Sequence, residues 1–388
     1  MNKCEVCDSN ELIEVLDLGL HPICDDLIKI GDKRQNELYP IVIMYCPVCY
    51  TAHQKFQIPK EKLFPSNYHY RARFTKDVLE GMSSLVDDVE KELGSLEGKI
   101  VLDIGCNDGS LLNFFKAKGS ITYGIEPTDS ANDAISNGHC VNKTYFTTKV
   151  ASNWIFNKPD IIVFTNVFAH IEDLNGLLEA LKIIMKEDTL LVIENHYLGS
   201  ILDKNQFDTF YHEHPRTYSL MSFAYIANKL GRNLTNYSFP SRYGGNIRVI
   251  ISNKPSKNIE IKEDYFINKF VKLNQNIKDW GVSKRLEILE AIRKNRGPIE
   301  AKAFPARSAI PINLLSLDER HIKCIYEKSG SLKIGNYIPG TRIPIISDDE
   351  IKNISEKNYL LNLAWHISPE IEKYLRDKGF KGELINII

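Results

Sequence analysis

The most informative segment of the chain is Val101-Leu102-Asp103-Ile104-Gly105-Cys106-Asn107-Asp108-Gly109-Ser110-Leu111-Leu112. An apolar strand, a glycine turn and the start of a helix follow one another in it, an order that brings backbone N–H groups and a helix N-terminus beside a ligand. Gly105 and Gly109 permit close backbone approach, and Asn107 is one of the few non-glycine residues that tolerate a left-handed conformation. The G-x-G-x-x-G pattern of dinucleotide-binding proteins does not occur here. The stretch therefore predicts a strand–turn–helix site for a ligand of another kind.

Two acidic side chains indicate which ligand this is. Asp103 lies two residues before Gly105, where an acid suits a cationic or amine-bearing ligand. Glu126 ends the next apolar run, where an acid accepts hydrogen bonds from ribose hydroxyls. S-adenosylmethionine has both a positive charge and a ribose, so it fits; a simple strand–helix connection is the alternative. The predicted cofactor-binding residues are Asp103, Gly105, Cys106, Asn107, Asp108, Gly109, Glu126, Pro127, Asn166 and Val167.

Around this stretch, short apolar runs alternate with helical segments. Continuous β-branched runs are typical of strands buried on both faces, and their alternation with helices indicates an open parallel sheet. A helix is predicted before them at Phe74–Leu93, where apolar residues recur at helical spacing. The predicted strands are Ile100–Ile104, Ile121–Ile125, Ile161–Phe164 and Leu190–Ile193, with Asn246–Ser252 as the last strand of the sheet.

The chain beyond Pro255 shows a second α/β alternation. A polar helical segment is predicted from about residue 261 to residue 295, with Trp280 and Gly281 interrupting it. A further helix is expected at Pro369–Lys378, and strands at Ile299–Phe304, Ile322–Tyr326, Tyr359–Ala364 and Glu383–Ile388. The chain therefore divides into three predicted units: a zinc-binding module at residues 1–73, a central α/β domain at 74–255 and a carboxy-terminal α/β domain at 256–388.

The predicted zinc site rests on two C-x-x-C pairs, Cys4 with Cys7 and Cys46 with Cys49. Two residues between thiolates let one tight turn present both sulfurs to one ion, and two such turns complete a tetrahedral shell of four sulfurs. A closed shell has no open position for water, so the zinc is expected to be structural. A redox pair beside unrelated cysteines is the alternative. Cys24 has no paired neighbour and is interpreted as a packed residue.

Composition narrows the classes of protein that this chain can represent. The 388 residues include 49 Lys and Arg against 50 Asp and Glu, a formal net charge of -1. This balance excludes a strongly basic nucleic-acid binder and an acidic disordered chain. No apolar run approaches the roughly 18–20 residues that span a bilayer, and the first residues, Met1 to Glu5, lack the apolar core of a secretory signal. We therefore expect a soluble cytoplasmic protein, a monomer or small homo-oligomer, with neither nucleic acid nor membrane as partner.

Polar clusters after the strands are candidates for catalysis. His170, in Asn166-Val167-Phe168-Ala169-His170, follows a predicted strand and so is expected near the ligand crevice, although a packed histidine at a helix start fits equally well. The segment Gln206-Phe207-Asp208-Thr209-Phe210-Tyr211-His212-Glu213-His214-Pro215 gathers two histidines, a carboxylate and a phenol, which favours acid–base chemistry near neutral pH. Its alternatives are a zinc site of His212 and His214 with His196, or a plain polar loop. Arg307 follows a strand and suits either phosphate binding or an ordinary surface charge.

These motifs together resemble the sugar C-methyltransferases of deoxysugar biosynthesis, a family that includes the mycarose-type 3-C-methyltransferases. The resemblance extends over essentially the whole chain. Besides the cysteine pairs and the glycine turn, the matching stretches are Leu16-Asp17-Leu18-Gly19, His21-Pro22, Gly124-Ile125-Glu126-Pro127, Asn166 to His170, Asn205 to Thr209, Tyr211 to His214, Gly244-Gly245, Tyr337 to Thr341 and Leu363-Ala364-Trp365.

The resemblance implies a class I, Rossmann-like methyltransferase domain in the centre and a Rossmann-like, substrate-binding domain at the carboxy terminus. It implies S-adenosylmethionine as methyl donor and a nucleotide-linked 4-keto-6-deoxyhexose as acceptor. The second histidine of the family's Y-H-E-H motif acts as the base, which assigns that role to His214. Tyr211, Glu213 and His170 match further active-site positions, and Tyr68 or Tyr70 corresponds to a tyrosine that approaches the sugar.

Two stretches depart from the family pattern. Arg71-Ala72-Arg73 stands where small serine and glycine residues are usual, and Phe304-Pro305-Ala306-Arg307-Ser308-Ala309 replaces a G-x-P-A-K-G loop. Both are expected beside the nucleotide-sugar, so they bear on which acceptor is used. The alternative functions are an O- or N-methyltransferase of small molecules and a zinc-module binding protein whose methyltransferase domain is degenerate.

Overall fold

A computed structural model describes residues 2–66, 68, 70–255 and 259–388. The amino-terminal part contains β1 (Ile13–Pro22), β2 (Ile28–Lys29), β3 (Leu38–Tyr45), β4 (Ala52–Gln54) and the short helix α1 (Lys60–Leu63). β1, β3 and β4 form an antiparallel sheet, to which residues 216–217 add a fourth strand. β2 pairs instead with residues 336–337 near the other end of the chain. The amino-terminal module is therefore joined by backbone hydrogen bonds to both later parts of the protein.

The central part is an open α/β sheet. Its elements are α2 (Lys76–Leu93), β5 (Ile100–Ile104), α3 (Ser110–Ala117), β6 (Ile121–Ile125), α4 (Ala131–Ser136), β7 (Cys140–Asn142), α5 (Thr148–Ser152), β8 (Ile161–Thr165), α6 (Leu174–Ile184), β9 (Leu190–His196), α7 (Leu198–Asp203), β10 (Arg216–Thr217), α8 (Leu220–Lys229), β11 (Asn233–Ser238) and β12 (Asn246–Ser252). The sheet order is β11-β12-β9-β8-β5-β6-β7, while β10 belongs to the amino-terminal sheet. The predicted helix and apolar strands are confirmed, since β5, β8 and β9 are buried along nearly their whole length.

The prediction of a purely parallel sheet is wrong at one edge. The strands from β7 to β9 are parallel, but β12 runs antiparallel to β9 and also pairs antiparallel with β11. β11 was not predicted, because its sequence, Asn-Leu-Thr-Asn-Tyr-Ser, has no continuous apolar run. An apolar run signals that a strand is buried, but it carries no information on strand direction, which here follows from the short β11–β12 connection.

The carboxy-terminal part is a second α/β unit. Its elements are α9 (Phe266–Asn295), β13 (Ile299–Lys302), α10 (Ala309–Leu314), β14 (Ile322–Glu327), β15 (Asn336–Tyr337), β16 (Ile345–Ser347), β17 (Tyr359–Asn362), α11 (Ser368–Asp377) and β18 (Glu383–Asn386). A parallel sheet with the order β16-β14-β13-β17-β18 lies at its centre. The strand order reverses between β13 and β17, and ligands of such sheets bind outside the carboxyl ends at that point.

The predicted interruption at Trp280 and Gly281 is wrong, because α9 continues through both residues for 30 residues in all. The Trp280 ring packs 4.7 Å from that of Phe207, and its indole N–H donates to the Ile387 carbonyl at 2.9 Å. Tertiary contacts on one side of the helix thus outweigh the roughly 1 kcal/mol by which a glycine disfavours a helix.

One apolar core joins the three parts of the chain. It includes Ile41 and Tyr45 of the amino-terminal sheet, Phe210 of the central part, and Phe270 and Ile312 of the carboxy-terminal part, all of them buried. The division at residues 73 and 255 stays a prediction, and residue 256, where the third unit is predicted to begin, lies outside the described residues. None of the helices in the described part of the chain is both long and apolar enough to span a membrane.

Candidate active site and zinc site

The two C-x-x-C pairs lie on two matching turns. Asp8 N donates to Cys4 O, and Tyr50 N donates to Cys46 O, at 3.0 and 2.9 Å. Asp8 and Tyr50, which close the turns, have left-handed φ values of 62° and 58°. Each turn points its pair of thiols toward the other, so that sequence pairs separated by about forty residues meet.

The four sulfurs have the spacing of a zinc site. All four lie within 4.8 Å of one another, with the Cys4 and Cys49 sulfurs 3.4 Å apart and those of Cys7 and Cys46 3.5 Å apart. Tetrahedral zinc with Zn–S distances of about 2.3 Å requires sulfurs just under about 4 Å apart, so the four thiolates fit the ion. Cys24 is a packed residue of the apolar core, as predicted.

The glycine turn after β5 has the backbone shape that the sequence indicates. Gly105, Asn107 and Gly109 have φ values of 76°, 49° and 77°. A Cβ on Gly105 would lie 2.5 Å from Val167, so this position excludes a side chain. The Glu126 carboxylate, at the end of β6, accepts hydrogen bonds from the Asn107 N–H at 3.0 Å and the Thr128 N–H at 2.9 Å. The Thr128 hydroxyl also donates to Oε1, at 2.6 Å. These bonds fix the carboxylate beside the turn, and Oε2 retains a second acceptor position.

A cavity of about 420 Å³ opens at the carboxyl ends of the central strands. Predicted residues from all the expected segments line it: Tyr68, Tyr70, Asp103, Gly105, Cys106, Asn107, Glu126, Pro127, Asn166, Val167, His170, Tyr211, Glu213 and His214. Asp108 and Gly109 are not in its lining. The Asp108 carboxylate binds the Ser110 and Arg73 N–H groups instead, and Gly109 precedes α3. Burial, with Glu126 as a neighbour, raises the pKa of Asp103 to about 8.

Two of the histidines that line the cavity, His170 and His214, have a tautomer fixed by a backbone carbonyl. His214 Nδ1 lies 3.0 Å from the Thr209 carbonyl oxygen, and His170 Nδ1 lies 2.6 Å from the Glu213 carbonyl oxygen. A carbonyl accepts only, so Nδ1 is the N–H in each ring and Nε2 carries the lone pair. Burial lowers the pKa of both rings, for His214 with a further contribution from His170 and His196. Both histidines are therefore neutral near pH 7.

The pKa of Glu213, the residue before His214, is shifted in the opposite direction. Burial and the Asp25 carboxylate raise the pKa of Glu213 well above its ordinary value. The Tyr68 hydroxyl lies 3.4 Å from Glu213 Oε2, and the Tyr211 ring lies 4.4 Å from the His214 ring. Burial also raises the pKa of both phenols. The cavity wall thus holds a neutral proton acceptor next to a carboxyl and two phenols whose uncharged forms are favoured by burial.

The carboxy-terminal unit contributes further cavity residues, of which the sequence analysis singled out only Arg307. Arg307, Lys333 and His366 line the cavity from that side. Arg307 is 7% exposed, so its interpretation as a surface charge is wrong. Its Nε lies 3.3 Å from Asp208 Oδ2, and its Nη1 donates to Thr209 Oγ1 at 3.1 Å. The loop at Pro305-Ala306-Arg307 follows β13, beside the point where the strand order reverses. Ligands bind at such points, so the position of this loop in the sheet indicates that Arg307 lies at a ligand site.

The other departure, Arg71-Ala72-Arg73, binds protein acids. Arg71 Nε lies 2.8 Å from Asp133 Oδ2, and its Nη1 donates to the carbonyls of Tyr68 and Tyr70 at 2.9 Å. Arg73 lies 3.0 Å from the same Asp133 carboxylate. The arginines therefore hold the segment with the two tyrosines against the central domain.

The alternative zinc site at the histidines is not supported. His212 Nε2 lies 3.2 Å from the Tyr39 carbonyl, and its ring is not in the cavity lining. Among the described residues, the four cysteines are the one group of three or more His, Cys, Asp and Glu side chains spaced to hold a metal.

Comparison with known proteins matches almost the whole chain in three pieces. Residues 4–64 match the family described as "Putative zinc binding domain", residues 71–236 match "Methyltransferase domain", and residues 243–387 match "C-methyltransferase C-terminal domain". The C-methyltransferase NovU of Streptomyces niveus is 24% identical over 403 aligned positions, covering 98% of this chain and 94% of NovU. The chain is an S-adenosylmethionine-dependent methyltransferase, similar to C-methyltransferases.

The enzyme also has similarities among solved structures. Magnesium protoporphyrin IX methyltransferase from Synechocystis is 15% identical with a TM-score of 0.37, covering 46% of this chain and 84% of that one. A SAM-dependent methyltransferase from Aquifex aeolicus is 19% identical with a TM-score of 0.33, covering 42% and 87%. The matched families and the geometry agree on the metal and on the cofactor of the enzyme. The four thiolates bind a structural zinc ion, and S-adenosylmethionine is the cofactor.

Proposed function

We propose that the enzyme transfers a methyl group to the carbon beside the ketone of a nucleotide-linked keto-deoxysugar, with His214 as the base. The observation that carries the proposal is the fixed tautomer of His214, whose Nδ1 faces the Thr209 carbonyl while the ring lines the cavity. A carbon acid needs a strong enough base and a stabilised enolate. Hydroxyl methylation does not need the second of these.

Cofactor binding is assigned to the turn after β5 and to the carboxylates around it. Glu126 accepts from ribose hydroxyls, and Asp103 is placed for the cationic portion of the ligand. Asn166 and Val167, at the end of β8, close the same region against Gly105. When bound, S-adenosylmethionine supplies an electrophilic methyl group on a positively charged sulfur.

The proton and electron steps follow from the states of the side chains. His214 Nε2 takes the proton from the carbon next to the ketone, and the electron pair left behind moves onto the ketone oxygen. The protonated Glu213, with Tyr68 or Tyr211, donates a hydrogen bond to that oxygen. The carbon then forms its bond to the methyl group as the methyl–sulfur bond breaks, with that electron pair staying on sulfur. Reaction requires the two carbons to be held about 3 Å apart, so both substrates are proposed to bind in this one cavity.

The side of the cavity formed by the carboxy-terminal unit carries positive charge, which favours an acceptor with phosphate groups. Arg307 and Lys333 bring two cations to that wall, and Lys333 also lines a smaller adjoining cavity with Lys328. Arg307 Nη2 has no hydrogen-bond partner among the described residues. A buried guanidinium with an unused donor suits an anionic or carbonyl oxygen of the acceptor.

The test uses S-adenosylmethionine with a ¹³C-labelled methyl group and a panel of nucleotide-linked keto sugars, followed by mass spectrometry and NMR. The proposal predicts a new methyl signal on carbon. A methyl on oxygen or nitrogen contradicts it and indicates the alternative methyltransferase class. Cofactor binding without transfer to any member of the panel contradicts the proposed acceptor class.

A further inference from the structure

The zinc-binding module is attached directly to the catalytic segment. β10 begins two residues after His214 and pairs antiparallel with β4, so that Arg216 stands opposite His53. The Gln54 N–H also donates to the Pro215 carbonyl at 2.8 Å. The exit of the Tyr211–His214 segment is thus a strand of the zinc module's own sheet.

A chain of side chains runs from the cysteine site to Arg216. The Cys4 sulfur lies 3.3 Å from His53 Nε2, and His53 Nδ1 lies 3.7 Å from a Glu5 carboxylate oxygen. The same oxygen forms an ion pair with Arg216 Nη1. His53 and Arg216 are fully buried, so water does not replace these contacts. Outer partners of this kind orient the ligands of a metal site.

The other face of Arg216 binds the second catalytic segment. Its Nη2 donates to the Ile171 and Glu172 carbonyls, the latter at 3.1 Å, directly after His170. Its Nε donates to the Tyr218 hydroxyl at 3.1 Å. The planar guanidinium therefore contacts Glu5, the carbonyls of residues 171–172 and Tyr218 at once, a geometry that a lysine ammonium cannot reproduce.

We propose that Arg216 is a positioning residue that couples zinc binding to the geometry of the cavity. Through Glu5 and His53 it is tied to the zinc site. Its contacts with the Ile171 and Glu172 carbonyls set the segment that carries His170, and its own place in β10 sets the end of the segment that carries His214. The two histidines have catalytic roles only under the function proposed above, but the coupling itself involves the cavity wall and the metal site alone. Linkage then requires that a ligand on the cavity side raise the affinity for zinc, and that zinc raise the affinity for that ligand by the same factor. With zinc association unchanged, the higher affinity is measured as slower release.

The experiment compares wild type with Arg216→Lys and Glu5→Gln. Arg285→Lys is the matched control, because Arg285 also binds two successive carbonyls, those of Leu315 and Ser316, far from both sites. Zinc release to a chromogenic chelator is timed with and without S-adenosylhomocysteine. Bound S-adenosylhomocysteine is expected to slow release at least about fivefold in wild type and Arg285→Lys. In Arg216→Lys and Glu5→Gln this protection is expected to disappear.

Turnover supplies the second measurement. Arg216→Lys is expected to lower kcat about tenfold, with the KM for S-adenosylmethionine within about twofold of wild type. Unchanged kcat together with retained protection in both variants contradicts the proposal. If Arg216→Lys does not fold, Glu5→Gln decides alone, since that carboxylate is 29% exposed and its loss leaves the backbone contacts in place. Because zinc release needs no acceptor, failure of the proposed function leaves this test intact.

Discussion

The four-cysteine site and the cavity both remove ionisable side chains from water, but they deal with burial in different ways. At the cysteine site, four sulfurs from two turns are spaced to bind one Zn²⁺ ion, which offsets half of the negative charge of four thiolates. In the cavity, burial lowers the pKa of His214 and raises that of Glu213, which favours the uncharged form of each. The first arrangement contributes folding free energy, whereas the second preserves a reactive acid and base. Variants at the two places are therefore expected to separate stability from activity.

The largest effect is expected from Cys49→Ser, which removes a buried zinc ligand. Loss of a structural metal is expected to lower the free energy of unfolding by on the order of 5 kcal/mol, because metal binding is coupled to folding. Zinc content per chain and thermal unfolding measure it. Cys140→Ser, at an exposed thiol, is the control and is expected to match wild type. Full zinc content with an unchanged unfolding temperature in Cys49→Ser would show that the thiolates do not hold the metal.

A substitution in the cavity, in contrast, is expected to lower activity and to leave stability unchanged. Replacing the protonated Glu213 by Gln keeps an uncharged hydrogen-bond donor, so the fall in kcat is expected to be about tenfold, with thermal stability retained. The wild-type rate is expected to fall as pH rises through the raised pKa of Glu213, because the donor is lost when the carboxyl ionises. Glu213→Gln is expected to lack this alkaline decline at saturating cofactor. A pH profile identical to that of wild type is the contradicting result.

At Asp103 the expected effect is on cofactor affinity alone, with stability and kcat retained. Its pKa of about 8 means that the carboxyl is mostly protonated at pH 7, whereas a cationic ligand favours the carboxylate. Affinity for S-adenosylmethionine is therefore expected to rise by nearly tenfold per pH unit below pH 8 and to level off above it. Calorimetry in buffers of different ionisation enthalpy is expected to show proton release on binding at pH 7. Asp103→Asn is expected to abolish the release; a wild type without it contradicts the assignment.

The sequence predicted the zinc ligands and most strands because each depends on a local pattern. The C-x-x-C spacing determines which thiols share a turn, and the apolar run at Ile100–Ile104 coincides with β5. Strand direction at β12 and continuity of α9 at Gly281 depend instead on contacts that are distant in sequence. For this reason the prediction failed at both places.

The candidate site shows the same division. Nearly all the predicted residues line one cavity, but the orientation of each ring comes from backbone carbonyls such as that of Thr209, which no motif encodes. Arg307 is buried beside Asp208, its ion-pair partner from the central part of the chain. The two residues are distant in sequence, so no local pattern predicts this contact. Sequence therefore indicated which residues gather, and the structure supplies their protonation states. The catalytic roles themselves stay predictions.

Exchange of the proton next to the ketone with solvent deuterium reports directly on whether His214 acts as the base. The enzyme is incubated in D₂O with a nucleotide-linked keto sugar and S-adenosylhomocysteine, so that no methyl transfer occurs, and the sugar is followed by NMR. Wild type is predicted to exchange this proton, and His214→Asn to lose exchange by about 10²–10⁴-fold. His212→Asn, at a ring outside the cavity, is predicted to retain it. Equal exchange by His214→Asn and wild type would contradict the assignment of His214 as the base.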